Sequence, residues 1–424
     1  MTKNNGNVME TSTRIHRLDN GLVLLGEETS WKESVAYSLL IPCGTIDDPD
    51  QREGLSGLVT ELAARGAGAY DNRALLAAFE NLGAETSESV SQSYSIYRAS
   101  ALAEKFSDVL ALTADMVLRP RFPAEELEPA QSVLLQEIAS LEDEPSRKMM
   151  VELGRIFFPA PWGRPSFGTV EGLTSSTLDE VIAHHGRFFS PQGAVLGVAG
   201  RFDWEKVCEE VERLFGDWRG DERPLSRRDD TGTYVSHIPF ESAQTHIGLA
   251  WPSVPAIDPD YPAVRSALGI LSGGMSSRFF TEVREKRGLC YTVYASYYTH
   301  KNDGAVFCYC GSGADTAQEA LDVMIAELHR LETEGVTPDE LQRMKTRAKS
   351  EIVFGLESTG ARAGGMVRDW YYLGRVRTMS QMQAEIDSLD VETVSAAIKK
   401  HPPRPLRLVT LGPKPLKIDS TLLG

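Results

Sequence analysis

Histidine, cysteine and positive charge are all in short supply in this 424-residue chain. The five cysteines are odd in number and include no C-x-x-C, so neither a disulfide framework nor a zinc ribbon is indicated. The eight histidines contain no pair four residues apart with a glutamate between them. Acidic residues outnumber basic ones, 60 to 44, for a net charge of -16. That balance argues against nucleic-acid binding, which depends on Lys and Arg neutralising phosphates. No stretch approaches the roughly 18 unbroken apolar residues of a membrane span, so no membrane contact is expected. The opening MTKNNGNVMETSTR has neither the apolar core of a secretory signal nor an Arg-rich amphipathic pattern, which makes a cytoplasmic location the expectation. What remains is an ordinary globular composition, 42% apolar and 25% charged, in a chain long enough for two domains.

The chain repeats itself. FPAEELEPAQSVLLQEIASLE and VTPDELQRMKTRAKSEIVFGLE each carry a Pro shortly before Glu-Leu and then Glu-Ile, with Glu126 and Glu340, and Glu137 and Glu351, offset by 214 residues. The element order repeats too. RIHRLDNGLVLLGEE reads as two strands around Asn20-Gly21, SVAYSLLIPCGT as a strand, GLSGLVTELAARG and NRALLAAFENLG as helices, and SQSYSIYRASAL as a strand. Helices at roughly 103–118 and 124–142 follow, then a helix ending near HHGRFFSP, the strand GAVLGVAG and the helix WEKVCEEVERLFGDW. Comparable segments run from TYVSHIPFESAQTHIGLAWP to the long helices after 315. Grouped strands and helices predict an α+β protein of two similar duplicated domains, each a mostly antiparallel sheet with helices on one face, enclosing a cavity. The polar GDERPLSRRDDTGT places the boundary: residues 12–218, a linker 219–233, and residues 234–424. Superposed halves should bring Glu137 near Glu351 and the helix of Thr60 onto that of Thr281. Adjacent His184 and His185 point different ways from a helix, which favours a surface role. Cys308 and Cys310 share one face of a strand, and a core role outweighs a metal role.

The segment SGGMSSRFFTEVREKRGLCYTVY concentrates Arg278, Arg284, Lys286 and Arg287. Its helix, capped near Ser276 and Ser277, should end at Gly288, and a strand should begin at Tyr291, so that Arg284 and Tyr291 face one cleft with a guanidinium and a phenol as donors. Lys286 and Arg287 would complement the helix C-terminal dipole. This segment resembles the second-domain signature of the pitrilysin/insulinase-like zinc metallopeptidases, in the processing-peptidase branch, and the likeness extends from RLDNGLVLLGEE to the C terminus. The resemblance implies a zinc motif H-x-x-E-H in the helix DDPDQREGLSGLVTELAARG. Gly57 stands where the first His belongs, Thr60 replaces the catalytic Glu and Glu61 replaces the second His. Glu137 matches the third ligand of the family, but without the His pair no metal is expected in this chain.

The resemblance further assigns Arg284 and Tyr291, seven residues apart, to the substrate carbonyl and its oxyanion, and Gly273 and Gly274 to a flexible substrate-binding loop. It implies a non-catalytic subunit of a heterodimeric zinc endopeptidase, completed by a homologous zinc-bearing partner and acting on peptides or unfolded segments. Two alternatives stand beside it: a proteolytically inactive scaffold, and a homodimeric protein that holds peptides along a strand edge.

Overall fold

The computed structural model describes residues 12–223 and 234–423; residues 224–233 of the expected linker lie outside them. Two mixed sheets form the frame. In the first, the strand order is Arg14–Arg17, Val23–Glu28, Val195–Gly200, Ser34–Ile41, Ser95–Leu102 and Glu85–Val90. In the second it is Cys290–Thr299, Gly304–Gly313, Gln244–Ser253, Arg407–Gly412 and Val235–Pro239. Each sheet is antiparallel except for one parallel pair, Val23–Glu28 with Val195–Gly200 and Arg407–Gly412 with Val235–Pro239. The Asn20-Gly21 turn closes the first hairpin, with Gly21 at φ 99°, which favours glycine. Helices Leu55–Ala63, Phe106–Leu118, Leu178–Phe188 and Trp204–Phe215 bury their apolar stripes on one face of the first sheet. Tyr261–Ser272, Ala317–Glu334 and Val391–Lys400 do the same on the second. The fold is thus α+β with two sheet-containing halves.

The central strands are apolar almost without alternation, VLGVAG and SVAYSLLI in one sheet and RLVTLG in the other, and nearly every residue is buried. Such runs require cover on both faces. It comes from the opposite half. Helix Pro145–Phe157, from the first half, places Met149, Leu153, Ile156 and Phe157 against Ala250, Phe307, Val409 and Leu411 of the second sheet. Helix Thr359–Leu373, from the second half, places Ala363, Met366 and Val367 against Leu25, Leu40, Val195 and Ala199 of the first. The two helices begin 214 residues apart (359 minus 145), the same offset as the glutamate pairs.

A glycine lets each helix in. A Cβ on Gly248 would lie 2.3 Å from Met149 Sδ and 3.0 Å from Leu153 Cδ2, and one on Gly197 would lie 2.7 Å from Val367 Cγ2 and 2.8 Å from the Ala363 carbonyl oxygen. The pairing register puts Gly248 opposite Val409 and Ser38 opposite Gly197, so each sheet is thinned at the same kind of crossing. Arg362 adds a buried ion pair with Glu27 across the halves, at 2.6 Å.

Two expectations are corrected. Element order matches the Thr60 helix, Leu55–Ala63, to Tyr261–Ser272, whose start is 206 residues later (261 minus 55); the Thr281 helix matches Asn72–Asn81. The offset of 214 is reached only after the second half has gained eight residues over the first between these helices and the later ones. Nor are the paired histidines on the surface. His184 is buried, with Nε2 3.0 Å from Ser56 Oγ and 3.8 Å from both Cys43 Sγ and Asp48 Oδ1. Its neighbour His185 is largely buried, with Nε2 2.8 Å from the Val117 carbonyl and its ring edge-on to Phe122. Leu178–Phe188 turns two adjacent residues about 100° apart, and here both directions meet protein. Asp48, in turn, accepts from the backbone of Gly54 and Ser56 at 2.8 Å each, which fixes the start of helix Leu55–Ala63.

The glycine crossings make Gly197→Ala the costlier change, about 1–3 kcal/mol, because its added methyl meets backbone. Gly248→Ala meets a flexible Met149 and should cost less. Urea midpoints of the two variants check the order.

The Asp48 and His184 pair predicts a pH signature. Burial pushes Asp48 up to about 7 and holds His184 down at about 4, so between these values both are neutral in the fold. Unfolded, they revert to 3.8 and 6.5. Asp48 alone, raised on folding, contributes stability that is present below its unfolded value and lost as pH rises through about 7. His184 alone, depressed on folding, contributes stability that is present above 6.5 and lost as pH falls through about 4. The opposed slopes offset each other in the native chain. Asp48→Asn should therefore give stability rising from pH 4 to 6.5, and His184→Gln stability falling from pH 4 to 7, as read by urea midpoints across that range.

Candidate functional site

The positions of the expected zinc motif lie on helix Leu55–Ala63 and on Leu127–Ser140, which packs beside it. Gly57 is buried where its Cβ would sit 3.1 Å from the Ser166 carbonyl and 3.6 Å from Leu134 Cδ1. Thr60 Oγ1 donates to the Ser56 carbonyl four residues back, at 3.1 Å. Glu61 pairs with Arg65 at 2.7 Å, and Arg65 also reaches Glu126 at 2.7 Å. Glu137 pairs with Arg147, whose guanidinium lies 5.3 Å from the centroid of Phe167. Zinc needs three or four N, S or O donors converging at about 2 Å. Here one position has no donor atom, another hydroxyl is bonded to its own helix, and both carboxylates hold an arginine. These residues do not fit the ion. Among the described residues the one cluster of three metal-capable groups, Asp258, Asp260 and His401, lies in the second half, where Lys400 and His401 hold Asp260 at 2.6 and 2.9 Å.

The cationic segment is built differently from a simple helix end. Across Phe280–Glu285 the turn widens to a π-type geometry, in which Lys286 N donates to the Thr281 carbonyl five residues back. Such turns are frequent at functional sites. Gly288, at φ 64°, then donates to the Arg284 carbonyl, and the chain enters the edge strand Cys290–Thr299. A register break between Cys290 and Thr292 makes Tyr291 the extra residue of a bulge, a device that re-aims side chains. The Arg284 guanidinium lies 4.9 Å from the ring centroids of both Phe280 and Tyr291. Sequence spacing and structure agree in bringing Arg284 and Tyr291 together. Tyr291 is 79% exposed.

The other basic residues are occupied. Arg278 is buried in a two-pronged bond to Glu340, at 2.7 and 2.8 Å, with a third bond to the Gly335 carbonyl. Lys286 and Arg287 pair with Glu282 at 2.6 and 2.8 Å and hold its carboxyl below the usual range. The expected dipole role is thus a pairing with Glu282, four residues before Lys286. Among the described residues no carboxylate pairs with Arg284. The spacings Glu61 to Arg65 and Glu282 to Lys286, both i,i+4, carried this information in the sequence.

Gly273 stands apart from that pair. It lines a cleft of about 800 Å³ with Arg265, Tyr297, Arg343, Arg347 and Glu351, and neither Arg284 nor Tyr291 lines it. Gly274 sits at φ 140°, and a Cβ there would lie 2.7 Å from Arg347 Nη1. The loop is therefore pressed against Arg347, which pairs with Glu351.

Comparison with known proteins follows the same lines. Residues 23–168 match the family described as insulinase (peptidase family M16), and residues 175–348 match the peptidase M16 inactive domain. An uncharacterized zinc protease of Bacillus subtilis is 25% identical over 383 residues, spanning 90% of this chain and 93% of its own. An uncharacterized zinc protease of Rickettsia bellii is 26% identical over 373 residues, 87% and 89% of the two chains. The crystal structure of a peptidase M16 inactive domain from Pseudomonas fluorescens superposes with a TM-score of 0.86 at 23% identity, covering 96% of this chain and 99% of that one. A protease from Helicobacter pylori gives 0.86 at 17% identity, covering 95% and 100%. The fold, the repeat and both family matches agree: the chain belongs to the insulinase family of peptidases, M16.

Proposed function

We propose that this chain is the zinc-free partner of a two-chain peptidase, supplying Arg284 and Tyr291 to a substrate held in the zinc site of a homologous subunit. The carrying observation is the stacked Arg284 and exposed Tyr291, left without a carboxylate while every neighbouring cation has one. Hydrolysis of a peptide places negative charge on the former carbonyl oxygen, and a guanidinium and a phenol are suited to receive it. The edge strand that carries Tyr291 offers unpaired backbone along which an extended peptide or unfolded segment adds as a further strand. Zinc chemistry belongs in this reading to the partner, because the residues at Gly57, Thr60, Glu61 and Glu137 suit neither ion nor base. No helix among the described residues is long and apolar enough to cross a membrane, consistent with a peptidase that meets its substrate in water.

The purified chain alone should bind no stoichiometric zinc and cleave no peptide. Elemental analysis and a chelator-sensitive peptidase assay check this; stoichiometric zinc with hydrolysis would overturn it.

Mixed with a zinc-bearing homologue from the same organism, the chain should form an active peptidase. Arg284→Ala or Tyr291→Phe should slow turnover by about 100-fold to 1,000-fold with assembly intact. Both together should cost less than the product, since they act on one group. Lys286→Ala should be nearly silent, because Arg287 still holds Glu282. Equal rates in all variants would leave the scaffold reading in its place.

A further inference from the structure

The cleft that Gly273 lines is walled by helices Tyr261–Ser272 and Pro338–Glu357. By element order and by the glutamate offset, these are the counterparts of Leu55–Ala63 and Leu127–Ser140, the helices of the zinc-motif positions. In the first half the interval between them is filled: Gly57 and Thr60 are buried, Gly57 against Leu134 and the Ser166 carbonyl. In the second half it is open. A further cavity of about 680 Å³ adjoins it, and the two share Tyr261, Arg265, Tyr297, Arg368 and Arg377 as walls.

Positive charge on these walls exceeds what the walls can pair. The four carboxylates are taken: Glu340 by Arg278, Glu351 by Arg347, and Asp369 and Glu385 by Arg377. Arg362 holds Glu27. Arg265, Arg343 and Arg368 are left over, all exposed and on three different helices, and among the described residues no carboxylate pairs with them. Burial and the Arg368 charge hold the Arg98 guanidinium, on the first sheet, below its usual range, so cations crowd around Arg368. Every cationic side chain lining the two cavities is an arginine, whose planar fork meets a carboxylate with two parallel bonds where lysine offers only a point charge. In a chain of net charge -16, three unanswered guanidinium groups around one open space suit an anion from outside the chain.

We propose that this cleft binds an acidic peptide segment, with Arg265, Arg343 and Arg368 receiving the carboxylates of Asp or Glu side chains spaced along it. The placement of the three favours a chain over a compact anion, since each stands on its own helix, Arg343 lines only the larger cavity, and Arg265 and Arg368 line both. Tyr261, Tyr297 and Tyr298 supply aromatic walls for the apolar parts of such a chain. The edge strand supplies the route. Ala295, Ser296 and Tyr297 line the cleft, and Tyr291 stands four residues before Ala295, about 13 Å along an extended strand. A peptide laid along that edge brings its acidic segment into the cleft while another of its bonds lies beside Arg284 and Tyr291. Binding stands on the cleft alone, whereas its part in cleavage rests on the reading of Arg284 and Tyr291 given above.

The test uses the full chain and a fluorescein-labelled peptide of alternating Glu and Ala, about ten residues long, with binding read by fluorescence anisotropy. Peptides with Gln or Lys in place of Glu should bind at least about ten-fold more weakly. Arg265→Gln, Arg343→Gln and Arg368→Gln should each weaken binding of the Glu peptide by about three-fold to ten-fold, with urea midpoints unchanged. Arg213→Gln, which removes the same charge from helix Trp204–Phe215, should leave binding as it is. Arg343→Glu combined with Arg368→Glu should reverse the preference, so that the Lys peptide binds more tightly than the Glu peptide. Equal affinity for the Glu and Gln peptides, equal weakening by Arg213→Gln, or no reversal overturns the proposal. So does displacement of the peptide by citrate or inorganic phosphate at concentrations no higher than the peptide's own, which makes the ligand a small anion. In the mixed peptidase, Arg343→Gln with Arg368→Gln should raise KM for a substrate with an acidic segment and leave kcat unchanged, whereas Arg284→Ala lowers kcat. If Arg284→Ala leaves cleavage untouched, the subunit reading fails while the binding of the Glu peptide remains.

Discussion

Two helices that leave their own half hold this molecule together. Pro145–Phe157 and Thr359–Leu373 each cover the bare face of the other half's sheet, and each depends on a glycine that lets a side chain lie on the strand backbone. Without that cover the central strands would expose continuous apolar faces, which a soluble domain cannot leave to water. The halves are consequently not beads on a string. Each completes the core of the other, and the buried Arg362 and Glu27 pair adds a contact whose loss on one side would strand a charge.

Much of this was legible in the sequence, and the parts that were not have physical reasons. Strand and helix types followed from periodicity, and the duplication followed from one offset between glutamates. The helix Pro145–Phe157 escaped notice although Pro145 stands at its start and Met149, Leu153, Ile156 and Phe157 recur at helical spacing. Its stripe is short and its neighbours are charged, so only the sheet it covers reveals its purpose. The strand Glu85–Val90, ETSESV, is a polar edge strand with most residues exposed, and carries no apolar alternation to find. His184 looked like a surface residue because nothing in one dimension says that Asp48, Ser56 and Cys43 converge on it. Buried polar clusters are assembled by tertiary contact, and their members are scattered along the chain.

The zinc-motif helix and the cationic segment show opposite treatments of charge. Where ligands are expected, ordinary helical pairing prevails: Glu61 with Arg65, Glu137 with Arg147, Thr60 with its own helix. Carboxylates held by guanidinium groups are poor donors to a metal, since binding one would break an existing pair. Around Arg284 the reverse holds. Glu282, two residues before it on the same turn, is claimed by Lys286 and Arg287, with Arg330 4.0 Å away.

That distribution gives the crowding of basic residues a purpose. In a chain with 16 more acidic than basic residues, an arginine near a surface would ordinarily find a carboxylate. Arg278 anchors the segment to Glu340, and Lys286 and Arg287 neutralise Glu282, so that Arg284 meets two aromatic faces instead of an acid. A guanidinium stacked on rings keeps its N–H groups at the edge of the plane, directed outward and available to an incoming oxygen. Three of the four cations in the segment thus act on the fourth, and the bulge at Tyr291 sets a phenol beside it on the open edge of the sheet.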